Sequence, residues 1–325
     1  MRAILLVCLA MAVGVSYAQK IELPDVKGRI DHFGIDVDGR RLFVAALGNN
    51  TVEVIDLKSN KHVRTLRGFA KPQGIQFVPA AKRIYISNGE ADRVDVLDAA
   101  SYAVVKRIDG LGDADNIRYD AAAQLLYVAY EGGLRVLDAM TGEPTGDLKL
   151  RGHPESFQLE KAGPRIFVNL PGSREVAVVD RTSGRVSASW SLDGAAGNYP
   201  MALDEAMHRV FVGTRNPPQL LVYDTESGKL VAKYPVAGDT DDLFFDAAGK
   251  SVVVICGEGL VNIFQQKDAD HYVAEKTIKT APRARTGFMV GTRLYVAAPA
   301  VNGPAAITSY DLRAGYDPKR TTKIE

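Results

Sequence analysis

Cysteine is nearly absent: Cys8 and Cys256 are the only two in 325 residues. Beyond the first fifteen residues, no stretch stays apolar for the roughly 20 positions that a membrane-spanning helix needs, which excludes a multi-span membrane protein. Neither sign of charge dominates, 40 lysines plus arginines facing 39 aspartates plus glutamates. Such a balance lacks the long-range attraction on which non-specific nucleic-acid binding depends. The short catalytic signatures are missing as well. There is no G-x-S-x-G, no H-E-x-x-H, no C-x-x-C and no phosphate-cradling glycine loop, so none of the chemistries those motifs carry has support.

What is present begins with an address. Met1 and Arg2 precede an apolar run from Ala3 to about Val15, and Ser16-Tyr17-Ala18 then sets small residues at the two positions that a signal peptidase reads. We expect a signal peptide over 1–18, cleavage after Ala18, and a periplasmic or secreted mature chain of 19–325. The run is too short for a span, and Cys8 lies too near Met1 for a lipoprotein. Cleavage leaves Cys256 as the only thiol, so no intramolecular disulfide can form. Stability must come from packing, which a chain with 46% hydrophobic residues can supply.

A repeat organises the rest. An aliphatic–aromatic–aliphatic core recurs as Leu42-Phe43-Val44, Ile84-Tyr85-Ile86, Leu126-Tyr127-Val128, Ile166-Phe167-Val168, Val210-Phe211-Val212 and Leu294-Tyr295-Val296, with Val252-Val253-Val254 as a seventh copy. About ten residues after each comes a strand that ends in an acid and a turn, such as Val96-Leu97-Asp98 or Val178-Val179-Asp180; only Ile263-Phe264-Gln265 departs. An apolar strand precedes each core and a more polar one follows each turn. Four short strands in every 40 to 46 residues is the pattern of a β-propeller, here all-β with seven blades of four antiparallel strands. The last unit lacks a fourth strand, Tyr316 to Glu325 being polar with Pro318. Lys20 to Gly28 matches the other fourth strands, so we expect the N-terminal strand to close the last blade.

The units resemble the bacterial YVTN-type propeller repeat, closely in Pro72-Gln73-Gly74-Ile75 through Ile84-Tyr85-Ile86-Ser87-Asn88 and in Asp38-Gly39-Arg40-Arg41-Leu42-Phe43-Val44-Ala45. The resemblance covers essentially the whole mature chain. It implies a secreted or periplasmic seven-bladed propeller in a group labelled lactonase-like or DNA-binding, and it speaks to fold more than to function.

In a propeller, the loops entering the innermost strands and those between second and third strands open onto one face around the axis. Here these loops are chemically varied, while the opposite hairpins are plain, as in Ala121-Ala122-Ala123. The varied loops supply a candidate ligand set: His32, Asp115, Asn116, His153, Glu155, Tyr199, Asp241, Asp242, Arg283 and Arg285. Such a cluster can clamp an anion, run acid–base chemistry or hold a divalent metal, with His32, His153 and Glu155 as the ligands we select for the last. The plain alternative is a self-satisfied polar plug in the channel. No catalytic residue is assigned.

Other features read as structural. His62, His208 and His271 fall on an outer strand, an opposite-face hairpin and an irregular turn; Trp190 is expected to cover the gap to a neighbouring blade or the rim; Cys256 is expected to be a small buried hydrophobe. The leading functional reading is an exported propeller, a monomer, binding a small polar or anionic molecule or a peptide end. A metal-dependent hydrolase of the lactonase type is the first alternative and a nucleic-acid-binding propeller the second, the latter disfavoured because the variable loops carry more acids than bases.

Overall fold

The computed structural model describes residues 19–301 and 303–313. The expected signal peptide, Asn302 and the tail from Tyr316 lie outside the described residues. The chain forms seven antiparallel four-stranded sheets arranged as a seven-bladed β-propeller. Among the described residues the only helical element is a single 3-10 turn at Leu47–Asn49, and no helix is long and apolar enough to cross a membrane.

The innermost strands are Phe33–Asp36, Pro72–Val78, Ile117–Asp120, Phe157–Leu159, Met201–Asp204, Thr240–Asp246 and Gly287–Val290. The recurring apolar cores are the second strands. Leu42, Phe43 and Val44 are fully buried, as are Ile84, Tyr85 and Ile86, because each blade is covered on both faces by its neighbours. That explains why these strands read as continuous apolar runs instead of alternating. Fourth strands face solvent and bury little more than one side chain each, such as Leu66 in Lys61–Arg67 or Trp190 in Arg185–Ser191. Trp190 fills the seam between blades as expected, its ring 5.4 Å from Phe167 and 5.7 Å from Tyr223. There are seven apolar clusters, one in each seam between adjacent blades.

The ring closes by strand exchange. Gln19–Leu23 pairs with Ala305–Asp311 in the last blade, with Ile21 opposite Ile307 and Leu23 opposite Ala305. The pairing is shorter than the Lys20–Gly28 expected from sequence: Pro24 removes a donor, and a turn follows in which Val26 N–H bonds the Leu23 carbonyl at 3.1 Å. Ile21, Leu23, Val26 and Ile30 then pack into the seam shared with Leu42 and Val44 of the first blade. The six blades closed by a covalent third-to-fourth hairpin all carry a register shift one or two residues before that turn, for example between Val54 and Ile55 or Val178 and Val179. The exchanged strand, with no hairpin to accommodate, pairs in unbroken register.

Candidate functional site at the axial face

Strand register fixes which residues reach the axis. Phe33, Ile75, Ile117, Phe157, Met201, Leu243 and Gly287 occupy equivalent positions opposite Val44, Ile86, Val128, Val168, Val212, Val254 and Val296. Two residues earlier in each blade stand Asp31, Gln73, Asp115, Glu155, Tyr199, Asp241 and Arg285. Backbone clamps hold this position: Asp31 N–H donates to Ala45 O at 2.7 Å, Asp115 N–H to Ala129 O at 2.9 Å and Glu155 N–H to Asn169 O at 3.0 Å. One register position therefore builds most of the site, with a different side chain in every blade.

Asp115 is placed with particular care. Ser87 Oγ donates to its carbonyl at 2.5 Å. The neighbouring residue is Gly74, where a Cβ would collide with that same carbonyl oxygen, so the glycine admits the close approach of two blades.

A cavity of about 460 Å³ opens over this ring, and the candidates His32, Asp115, Asn116, His153, Glu155, Tyr199, Asp241 and Arg285 all line it. Asp242 lies below, facing a second cavity of about 260 Å³ in which apolar side chains such as Phe33, Leu243 and Phe288 mix with Gln76, Arg118 and Gln158; His32 and Ser156 line both cavities. Arg283 does not join the ring. It is exposed beside Pro299 to Val301, because its positive φ of 66° and the bond from its N–H to Gly257 O turn it away from the axis. Three participants were absent from the candidate set, namely Arg29, Asp31 and Arg215. Arg29 and Asp31 belong to the same entry loop as His32, and aligning the seven loops on the strand register would have found Asp31.

The electrostatics are those of a crowded, desolvated cluster. Asp241 is gripped by Arg215 at 2.5 Å and Arg285 at 2.9 Å, with Arg29 at 3.9 Å. Burial still pushes its pKa up to about 6, against the pull of those guanidiniums, and it is ionised at neutral pH. Arg29 meets the fully buried Asp31 at 2.9 Å. Burial raises the Asp31 carboxyl above its usual range, with His32 and Arg29 opposing. His32 has Asp242 at 3.3 Å from Nδ1 and the Asn116 carboxamide at 3.2 Å from Nε2. Burial alone would lower its pKa, but Asp242, Asp31 and Asp115 together lift it to about 10. Tyr199 lies flat under Arg215, whose guanidinium carbon sits 3.9 Å from the ring centroid.

The opposite wall has fewer internal partners. Burial and repulsion from Asp115 push the Glu155 carboxyl up to about 8 despite His153. His153 is raised by Asp115 and Glu155 in spite of burial. In the same environment Asp115 is lowered, burial being outweighed by His153 and His32. One ligand atom each from Asp115, His153 and Glu155 lies within 4.8 Å of the other two. The metal set selected from sequence had His32 in place of Asp115. The structure groups Asp115 instead, since His32 faces Asp242 on its other edge.

The residues read as structural are so placed. Cys256 is fully buried and burial pushes its thiol up to about 12. His208 and His271 are exposed, beside Glu226 at 3.5 Å and Asp268 at 2.8 Å. His62 is half-buried and bonds Glu53 at 2.8 Å.

No family model and no curated protein matches the chain. Among solved structures it is similar to a chain of Kuenenia stuttgartiensis hydrazine synthase, at TM-score 0.76 and 17% identity over 89% of this chain and 96% of that one. It is similar also to a chain in a crystal structure of the mitotic checkpoint complex, at TM-score 0.78 and 12% identity over 98% of this chain and 97% of that one. At such identities the likeness establishes the propeller fold, on which unrelated functions are built.

Proposed function

We propose that the protein binds a small polar molecule carrying an anionic group, most simply a carboxylate, in the axial cavity. The observation that carries this reading is the orientation of the ion pairs. In Arg29–Asp31 the side-chain exposures are 45% and 0%, in Arg215–Asp241 25% and 7%, and in Arg285–Asp241 23% and 7%. Asp31 and Asp241 stand behind these guanidiniums and preorganise them; Asp239, 37% exposed, meets Arg215 at 3.4 Å and Arg285 at 2.9 Å from the outer side, so Arg29 is the cation left most open and an incoming anion competes with Asp239 for the other two. Guanidinium forks held in this way match carboxylate geometry, and Tyr199 with Asn116 adds the few polar and aromatic contacts that orient a small ligand.

We propose further that this binding takes place outside the cytoplasm, a reading supported by the signal-peptide pattern of residues 1–18 and by the likeness of the repeat to the YVTN type. A metal-dependent hydrolase of the lactonase type is the second reading, favoured by the Asp115–His153–Glu155 grouping.

Calorimetry against a panel of four- to eight-carbon hydroxycarboxylates and their neutral amides tests the first reading. Carboxylates should bind and matched amides should bind at least tenfold more weakly; Arg215→Ala with Arg285→Ala should erase the difference. Equal affinity for acid and amide would overturn it. Assaying the corresponding lactones for hydrolysis on the same preparations tests the second reading.

A further inference from the structure

We propose that Asp115, His153 and Glu155 bind one divalent metal ion, with its remaining coordination positions open to the axial cavity. The inference deepens the ligand-binding reading, on which it rests for what those open positions receive, namely an oxygen of the bound anion.

The first observation is spacing. A nitrogen and two carboxylate oxygens converge within 4.8 Å of one another. Ligand bonds to a first-row divalent ion are roughly 2.0–2.2 Å, so neighbouring ligand atoms around such an ion stand roughly 3 to 3.6 Å apart. Closing the group around an ion thus takes about an ångström of side-chain movement. His153 Nε2 and Asp115 Oδ2 face each other at 3.9 Å. An imidazole and a carboxylate free to bond directly would close to about 2.8 Å. The gap between them is wider than that and only a little over the separation across a shared ion.

The second observation concerns the far side of the imidazole. His153 Nδ1 is buried with no hydrogen-bond partner, and Asp113 Oδ2 is 3.9 Å away. When Nε2 ligates a metal, Nδ1 must carry the proton, and a carboxylate beside it fixes both tautomer and ring orientation. Asp113 is so positioned. Each nitrogen of the imidazole thus has one carboxylate at ion-pair distance, and neither contact is a hydrogen bond.

The third observation is rigidity on one side and freedom on the other. Asp115 is fixed by the Ser87 bond and the Gly74 contact, and the Glu155 backbone is clamped to Asn169. His153, by contrast, sits on a loop with its side chain partly exposed. The backbones that carry the two carboxylates are the anchored half of the site and the histidine its closing arm. Three protein ligands with an open remainder is the arrangement of metal sites that exchange water for a ligand, and the nitrogen–oxygen donor set suits Zn²⁺ or Mn²⁺ over soft monovalent copper.

The test uses the metal alone. Chelator-treated mature protein is titrated with ZnCl₂ and MnCl₂ by calorimetry, with Co²⁺ absorption as a second readout for a bound imidazole. We expect one ion per chain, binding at least 100-fold weaker in His153→Ala and in Glu155→Gln, and about 10-fold weaker in Asp113→Asn, whose exposed side chain makes loss of folding an unsuitable explanation. Absence of stoichiometric binding by the wild type, or its retention in both ligand variants, as surface sites at His208 or His271 would give, overturns the inference. Intact carboxylate binding beside absent metal binding would overturn the metal and leave the ligand reading standing. One-to-one metal binding without any carboxylate affinity would do the reverse.

Discussion

The two faces of the propeller use the same residue types to opposite ends. On the hairpin face, Asp56, Asp98, Asp138, Asp180 and Asp224 each end a third strand, and all five are held below the usual carboxylate range. The largest cause is the same every time: the Ser or Thr three residues on, through its N–H or hydroxyl. These acids are solvated and locally satisfied, and they stabilise turns. On the axial face, Asp31, Glu155 and Asp241 are pushed up by burial, and no turn of their own backbone satisfies them. A repeating position that repeats its chemistry is scaffold. A repeating position occupied by Asp, Gln, Asp, Glu, Tyr, Asp and Arg in turn is a site, and three of its four acids carry a burial cost that the scaffold must offset, Asp115 being lowered by its histidines.

Both faces depend on the closed ring, and opening it should produce the largest effect. Leu23→Ala removes a buried side chain from the closing strand and should cost about 3 kcal/mol in urea unfolding. Full stability in this variant would refute the structural weight given to strand exchange.

The next effect tests the sign of the axial term. An acid whose folded pKa is raised weakens folding above its unfolded value of 4.5, and for Glu155 the loss grows as pH rises and is complete above about 8. In chelator, Glu155→Gln should gain stability over wild type as pH rises, with the full gain present at pH 9 and the difference vanishing near pH 4. A destabilised variant at pH 9 would break the contrast between the faces.

A turn acid should give the opposite sign. Asp224 accepts from Glu226 N–H, from the N–H and hydroxyl of Ser227, and from Arg209, so Asp224→Ala should lose about 1–2 kcal/mol at pH 7 by the same denaturation assay.

The smallest effect sharpens the rule by an intermediate case. Glu53 is as buried as the axial acids, yet it is lowered, because bonds from His62, Thr51 and Thr65 outweigh burial. His62 is correspondingly raised, chiefly by Glu53. The Glu53 contribution is present above the unfolded value of 4.5 and fades as pH falls through its lowered folded value. The His62 contribution is complete below 6.5 and fades as pH rises through its raised one. A pair of this kind should be worth about 1 kcal/mol or less near pH 5.5. His62→Gln should remove that advantage with little change at pH 10, as followed by thermal unfolding.

How far the sequence could be read follows the same division. The blades were legible because a strand buried on both faces must be apolar throughout and a third-to-fourth turn must carry its Asp and Ser or Thr. Even the exchanged strand was visible as a missing piece at one end and a surplus at the other. The site was legible only as a list of loops. Arg283 and Arg285 look alike in sequence, but the positive φ at Arg283 sends one outward while register sends the other to the axis. His32 and Asp115 both looked fit for a metal, and only their neighbours separate them, Asp242 on one and His153 with Glu155 on the other.

By itself the sequence determined the number of blades, their strand pattern, the closure by an N-terminal strand and the face on which chemistry could gather, since each of these follows from periodicity and local turn bonding. The tertiary structure decided which charges meet. Asp31 and Asp241 stand some two hundred residues apart yet share Arg29, and a shift such as that of Glu155 arises from desolvation and carboxylates on other blades, quantities that exist only once the ring has closed.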